Sequence, residues 1–581
     1  MATPATPATL RTARPLEGLS LETSGPPGPA DGLVAEHLRL LGVGGHAPPG
    51  GRFALSEGRE TGPGAVTAHL TWGEGVVDEA TTQAATGIMA VHGRRDGGPR
   101  GLAVDYAATA AGVLTVQGLL AGLLARARGG RAPSVEVSAE RAGLLAVSQY
   151  LAAAGAEEGE AAELAPGGPP FTAADGTVFE LETLDPGVWA AFWRALGAPE
   201  DAIRKGWRPF QFRYATACAP FPPVLHEIVR TSSWERVREA AGLSHADVCP
   251  LTSLAQRAAE YDGAAPWQLT PHEAAYSGTT APVDAPLAGL TVLEAGRRIQ
   301  APLAAHLLGL LGAEVIRIEP PGGDPLRGMP PACSGISARW LALNRGKKAA
   351  EVDIKSAADR ERLRDMAAQA DVFLHNWAPG KAAQLGLDHE HLGAANPALV
   401  YAYTSGWADR LPGAPMGTDF MVQARTGVGE AARPADEPPA PSLMTLLDVL
   451  GGLLGTEAVL AGLLLRERTG QGVRVDSSLL GAADVLTAPA RARAAQGLDP
   501  RRPAGFRRPL RTADGWIALP DHAAIPHDMS ELPTAQALEE LRGRGLTAVP
   551  VVTDLADLLS SGSISRDAHG APAVPDPWSF A

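Results

Sequence analysis

The second half of the chain alternates short apolar runs with amphipathic stretches of helical period. Leu290-Thr-Val-Leu-Glu294 reads as a strand, 302–312 as a helix with proline in its first turn, and Glu314-Val-Ile-Arg-Ile318 as a second strand. Strand, helix and strand in that order predict a parallel sheet covered by helices. Further strands are expected at 350–354, 371–374 and 399–404, with helices between them. The first half offers a counterpart of the opening helix (33–42) and of the last strand (65–69), little between them, and an amphipathic helix over 189–196. The longest apolar stretch, 449–465, contains Glu457 and four glycines and is bounded by Arg466 and Arg468. It falls short of the roughly 20 apolar residues of a membrane span and predicts a buried core helix.

The two halves are copies of one another. Glu79-Ala-Thr-Thr-Gln83-Ala-Ala-Thr86-Gly87 matches Asp419-Phe-Met-Val-Gln423-Ala-Arg-Thr426-Gly427 at an offset of 340 residues, 419 against 79. The same offset aligns Leu120-Ala-Gly-Leu-Leu-Ala-Arg126 with Leu460-Ala-Gly-Leu-Leu-Leu-Arg466. One residue of slippage then brings Thr172-Ala-Ala-Asp175-Gly176 onto Arg511-Thr-Ala-Asp514-Gly515. Such a register is the mark of a tandem duplication, with its junction in the proline-rich stretch 265–286. Each copy keeps what the other has trimmed.

Composition narrows the functional classes. The 581 residues carry 50 Lys and Arg against 64 Asp and Glu, a net charge of −14. That balance gives no electrostatic footprint for nucleic acid or an anionic membrane surface, and neither partner is expected. Three scattered cysteines, Cys218, Cys249 and Cys333, form no CxxC spacing, so neither a disulfide framework nor a zinc site is expected, and no metal. Aromatics are 5 % of the chain, which predicts cores of Ala, Leu and Val. Residues 1–15 hold two arginines but no apolar run. A disordered tail over 1–30 and a cytoplasmic, reduced setting are expected.

Several segments of the second copy point to chemistry. They are Pro286-Leu-Ala-Gly-Leu-Thr-Val-Leu-Glu294, Leu311-Gly-Ala-Glu-Val-Ile-Arg-Ile-Glu319, Pro321-Gly-Gly-Asp324, Leu343-Asn-Arg-Gly-Lys347-Lys348, Asn376-Trp377-Ala-Pro-Gly380 and Arg466-Glu-Arg-Thr-Gly-Gln-Gly-Val-Arg-Val-Asp476. Their order and spacing over 286–483 resemble family III CoA-transferases of the CaiB/BaiF type, which include formyl-CoA transferase, carnitine CoA-transferase and the alpha-methylacyl-CoA racemases. The first copy matches more weakly, over 65–145 and 171–255. The resemblance implies an α/β fold with a Rossmann-like large domain and a small α+β domain, in dimers whose chains interlock. Here it implies that dimer made covalent, an intramolecular pseudo-dimer that needs no second chain. The expected division is a degenerate copy over 31–280, with a truncated large domain to about 165 and a small domain over about 166–262. A complete large domain follows over 286–505 and a truncated small domain over 506–581. Linking partners raises their effective concentration to about the millimolar range, so one copy can lose parts and still assemble.

The family's nucleophile is an aspartate after Gly-x with Gln four residues on, and Gly417-Thr418-Asp419 with Gln423 matches it. The residues make the same case: Asp419 stands where a helix begins, and free N–H groups there stabilise an ionised carboxylate. Such a carboxylate can attack a thioester and end as an aspartyl-CoA thioester. A plain helix-capping aspartate is the alternative. For CoA, the resemblance implies the loop at Gln300 and Ala301, the basic side chains Arg327, Lys347, Lys348 and Lys381, and Asn376 with Trp377 beside the adenine. CoA and its acyl thioesters are substrates with a small carboxylic acid; no resident cofactor is implied. The chain departs from the pattern by lacking the loop glycine (Gln300-Ala301-Pro302) and by Pro320 and Gln384, where the family has basic residues. No histidine lies between His391 and Asp419, which argues for CoA transfer over racemisation. An acyl-CoA racemase and a non-catalytic CoA-binding protein stay open as alternatives. Glu79 holds the aspartate's register in the first copy; it and Asp78 are read as structural.

Overall fold

The computed structural model describes residues 13–45, 48–57, 64–131, 133–160, 162–274, 276, 278, 284–523 and 528–581. The second copy builds a seven-stranded sheet. In spatial order its strands are Lys348–Glu351, Glu314–Glu319, Thr291–Ala295, Val372–His375, Val400–Ser405, Gly472–Ser478 and Trp267–His272. The first six are parallel and run 3-2-1-4-5-6 in sequence order, the doubly wound order. Helices Gln300–Leu310 and Leu446–Thr469 cover one face, where the apolar side chains of this near-continuous hydrophobic sheet need shielding from water.

The seventh strand comes from the other copy. Trp267–His272 closes the first copy in sequence and joins the second copy's sheet antiparallel to Gly472–Ser478. The reverse exchange occurs at the end of the chain, where Trp578–Phe580 pairs antiparallel with Ser134–Ser138 of the first copy. The small domains are exchanged too. Strands Phe171–Thr172, Val178–Glu182 and Asp247–Pro250 with their helices pack on the helix Asp419–Arg425, while Leu510–Arg511, Trp516–Ala518 and Val549–Pro550 pack on the helix Glu79–Ala85. At the centre the helices Tyr106–Ala127 and Leu446–Thr469 lie against each other, buried almost throughout, which accounts for the apolar stretch 449–465.

Three expectations need correction. Residues 1–12 of the expected tail lie outside the described residues, but 13–30 are ordered: Leu19–Ser24 is a strand paired antiparallel with Arg52–Glu57. The second of these strands fills the interval between opening helix and last strand that the sequence left blank. It is antiparallel to Val66–Thr71, so the first copy's sheet is mixed. Its polar outer positions hid it from a search for parallel-sheet runs. The cores also divide by residue type. The central core is Ala, Leu and Val, whereas the first small domain is aromatic, with Trp189, Phe192 and Trp193 of the helix Pro186–Ala195 packed against Phe171, Phe210 and Phe221.

Candidate active site

Asp419 is the first residue of its helix, after an extended Thr418, and is 3 % exposed. Its Oδ1 accepts a short hydrogen bond from Gln423 Nε2, one helical turn on. Its Oδ2 accepts the backbone N–H of Asp448 at 2.6 Å. That donor stands at the start of the helix Leu446–Thr469, so the positive helix end facing the carboxylate belongs to a different helix from its own. Gln423 is itself fixed, accepting Ser442 N–H at 2.8 Å and donating to Ser442 C=O at 2.9 Å. Burial raises the Asp419 carboxyl above the usual carboxylate range; Gln423 and the amides of Asp448 and Leu447 oppose the rise. The Asp448 carboxyl is raised by burial and then by the charge of Asp419, with Arg298 opposing. Two carboxyls so placed favour a single negative charge between them.

The first copy's small domain completes the site. Glu182 Oε2 accepts the Thr418 hydroxyl at 2.8 Å, and its Oε1 lies 3.0 Å from Arg213, whose guanidinium lies over the rings of Phe210 and Phe420. Glu182 is the small domain's contribution to the negative field on Asp419 and Asp448. Beside it Glu180 is fully buried with neither carboxyl oxygen hydrogen-bonded, and burial pushes it up to about 8. Tyr106 of the first copy donates to Leu446 C=O at 2.8 Å, tying the two long helices together at the site.

Of the residues expected to hold CoA, Gln300, Ala301, Asn376, Trp377 and Lys381 follow the carboxyl ends of strands Thr291–Ala295 and Val372–His375, the switch point where a doubly wound sheet opens its crevice, whereas Lys348 begins its own strand at the amino end of the sheet. Asn376 fixes the loop after the first of these, accepting Arg297 N–H at 2.8 Å and donating to Arg297 C=O at 3.0 Å. Trp377 is half-buried on His375 and Phe373, and Lys381 is exposed at the start of the helix Lys381–Leu385. Gln300 and Ala301 open the helix Gln300–Leu310 with their side chains buried, Gln300 against Gly451 and donating to Ser405 C=O at 3.4 Å. Lys347 differs from its expected role. Its ammonium is buried and donates to Glu294, to Pro302 C=O and to Asn344, which uses all three protons and leaves none for a phosphate. Arg327 is also engaged, bidentate to Glu319 and stacked on Trp340, yet about a third exposed. Lys348 is exposed and paired with Glu314.

The first copy reproduces the nest position for position. Glu79 Oε1 accepts Gln83 Nε2 and Ala107 N–H, and Oε2 accepts Ala108 N–H at 2.9 Å; Gln83 accepts Leu102 N–H. Each of these residues lies 340 before its counterpart around Asp419. Two differences separate the nests. Ala108 stands where the second has Asp448, and the first is filled by Arg507, whose guanidinium bonds Leu102 C=O, Val104 C=O, Asp105 and Asp521. At the matching point of the other small domain, one residue out of register with the nests, stands Gly168, next to Leu443. A family model described as CoA-transferase family III matches the chain twice, over 74–282 and 287–546.

The chain belongs to CoA-transferase family III. Similar members include succinyl-CoA:glutarate CoA-transferase of Mus musculus, 36 % identical over 34 % of this chain and 45 % of that protein. Acetyl-CoA:oxalate CoA-transferase of Acetobacter aceti is 35 % identical over 35 % of this chain and 52 % of its own length. The chain thus spans about half the length of the curated relatives it matches. A crystal structure of a CAIB/BAIF family protein from Brucella suis aligns with a TM-score of 0.44 and 26 % identity, covering 50 % of this chain and 91 % of that one. Within this family III chain, the sequence reading found Asp419 and Gln423 but missed Asp448, Glu182, Arg213 and Arg298. For Asp448 a signal existed: the repeat sets it against Ala108. Glu182 and Arg213 lie in the other copy, more than 200 residues away, and only the exchange of small domains brings them in.

Proposed function

We propose that this chain moves CoA from an acyl-CoA donor to a carboxylic acid acceptor at a single site, through Asp419. The observation that carries the reading is the Asp419 nest, a buried carboxylate gripped at both oxygens by Gln423 and the start of the helix Leu446–Thr469. An Asp419 oxygen attacks the thioester carbonyl carbon, the C–S bond breaks, and CoA leaves as thiolate with the electron pair, giving a mixed anhydride. The thiolate attacks the aspartyl carbonyl, expels the first acid as carboxylate and leaves an aspartyl-CoA thioester. The acceptor carboxylate attacks that carbonyl, the C–S bond breaks to release the thiolate and leave a second mixed anhydride, and the thiolate then attacks the acceptor's acyl carbon and expels Asp419 as carboxylate. No net proton is consumed, so a site holding one charge on a carboxyl pair suits the exchange. The N–H donors that hold Asp419 also face the oxyanion formed at its carbonyl. The relatives' names pair acyl-CoA donors with small acids, and a small carboxylic acid is the acceptor class inferred here. With the first nest filled by Arg507, the chain takes up one equivalent of CoA.

The test is to incubate the protein with a panel of acyl-CoA thioesters, quench, and search for a hydroxylamine-sensitive adduct on Asp419. Asp419→Asn is expected to lose the adduct and on the order of 10³-fold or more of turnover, as loss of a covalent nucleophile does. No adduct across the panel, or an Asp419→Asn enzyme that still turns over, defeats the reading.

A further inference from the structure

The loop after the first parallel strand contains Arg298, which no role above has absorbed. Its φ is +62°, a conformation that side-chain-bearing residues adopt only when their surroundings impose it. Asn376 imposes it here: two hydrogen bonds clamp both backbone groups of Arg297, and the helix starting at Gln300 fixes the other side. The guanidinium is exposed. It lies 5.2 Å from the ring centroid of Tyr214, a first-copy residue whose hydroxyl is tied to Met329 Sδ. It shares a small cavity with Gln149, Tyr214, Met329, Arg339 and Trp340.

The other cations lining that cavity are spoken for. Arg339 is paired with Glu160 and bonded to Ala215 C=O and Pro330 C=O, and Arg317 is held by Glu294 and Asp324. Arg298 makes no ion pair among the described residues. Two residues on, Gln300 packs against Gly451 of the helix Leu446–Thr469, the helix whose start holds Asp419, and the charge of Arg298 opposes the rise of the Asp448 carboxyl. A planar cation with no ion pair among the described residues thus stands over Tyr214, at the boundary between the two copies.

We propose that Arg298 is the receptor for a second carboxylate on the transferred acyl group or acceptor acid, so that the chain favours dicarboxylic over monocarboxylic substrates. The fork of the guanidinium fits a carboxylate bidentately. This rests on the reading of Asp419 as the site of transfer, because it places one end of the acid at Asp419 and the other at Arg298.

Two measurements separate this proposal from the parent reading. In the first, kcat/KM is compared for succinate against butyrate and for glutarate against pentanoate as acceptors, in the wild type, Arg298→Lys, Arg298→Met and Arg298→Gly. The glycine variant tolerates the positive φ and so removes the charge without adding strain. The dicarboxylate preference is expected to fall roughly 10- to 100-fold in the Met and Gly variants, the effect of losing a hydrogen-bonded charge, and to return in part with Lys. Equal losses for both acids of a pair, or a wild type that prefers the monocarboxylate, overturns it. The second measurement needs no turnover: millimolar glutarate, but not pentanoate, is expected to raise the melting temperature of the wild type and not of Arg298→Gly. No difference between the two acids overturns the proposal even if Asp419 proves to be the nucleophile. A collapse of affinity for free CoA in Arg298→Gly, with acid preference intact, also overturns it and assigns the guanidinium to the CoA phosphates.

Discussion

Replacing Arg507 with methionine tests whether the first nest is a sealed relic held together by a borrowed cation. Arg507 is 1 % exposed and sits between Asp105 and Asp521, which are 32 % and 26 % exposed, and beside Glu79, which is 1 % exposed. Removing one partner of a buried ionic cluster costs about 3–5 kcal/mol because the remaining charge stays desolvated. Asp105 and Asp521 can rehydrate where they stand, so the lower end, about 3 kcal/mol, applies. For a cooperative unit of roughly 150–250 residues that amounts to a fall of roughly 6–12 °C in Tm. The pH dependence carries a further sign. Burial raises the Glu79 carboxyl to about 7, with Arg507 the leading opposing influence. The folded chain therefore keeps a proton there that the unfolded chain releases near the ordinary carboxyl value. The associated stability is full below that value and is lost as pH rises through about 7. Without Arg507 the folded value climbs further, so Arg507→Met is expected to lose more at pH 8 than at pH 6. Scanning calorimetry at the two pH values reads both effects. An unchanged Tm at pH 8, or a larger loss at pH 6, would refute the reasoning.

Three further outcomes follow from the same geometry. Glu79→Gln removes the titrating group, and is expected to flatten the dependence of stability on pH through about 7 while turnover is kept; an equal slope in wild type and variant, followed by thermal melts, contradicts the assignment. Gln423→Ala removes the side-chain donor that lowers the Asp419 carboxyl, so the acid limb of the pH–rate profile is expected to move to higher pH, with no movement counting against the nest as the controlling feature. Lys347→Met leaves the fully buried Glu294 with Arg317 alone, which is expected to cost about 3 kcal/mol of stability with the Kd for CoA unchanged. A tenfold rise in that Kd, about 1.4 kcal/mol, would return Lys347 to phosphate binding.

The positions of Asp419 and Gln423, four residues apart on one helix face, were legible because a helical i, i+4 contact is local and survives in the sequence as a spacing. The strand order around Thr291–Ala295 was half legible: the apolar runs were there, but which strand lies beside which depends on where the crossover helices pack. Lys347 shows the limit from the other side. A Lys-Lys pair before a strand reads as a phosphate clamp, yet Glu294, fully buried two strands away, draws the first ammonium inward, because a buried carboxylate must find its cations. Glu182 carries no local signal, since its partner Thr418 is 236 residues beyond it, and Arg213 joins the site only through Glu182 and the ring of Phe420.

By itself the sequence determined that the chain is one module written twice, that its second writing holds the parallel sheet, and that Asp419 and Glu79 occupy the same register. These follow from periodicity and self-similarity, which are properties of the chain in order. The tertiary structure alone decided which nest Arg507 fills. Exchange of the small domains sets Glu182 on Thr418 beside Asp419 and Gly168 on Leu443, and it brings Arg507 to the loop Leu102–Asp105 beside Glu79, while the edge strands Trp267–His272 and Trp578–Phe580 are exchanged in the same way. The physical reason is that buried charge is settled across the fold, between residues that meet only when each copy's small domain crosses to the other's helix.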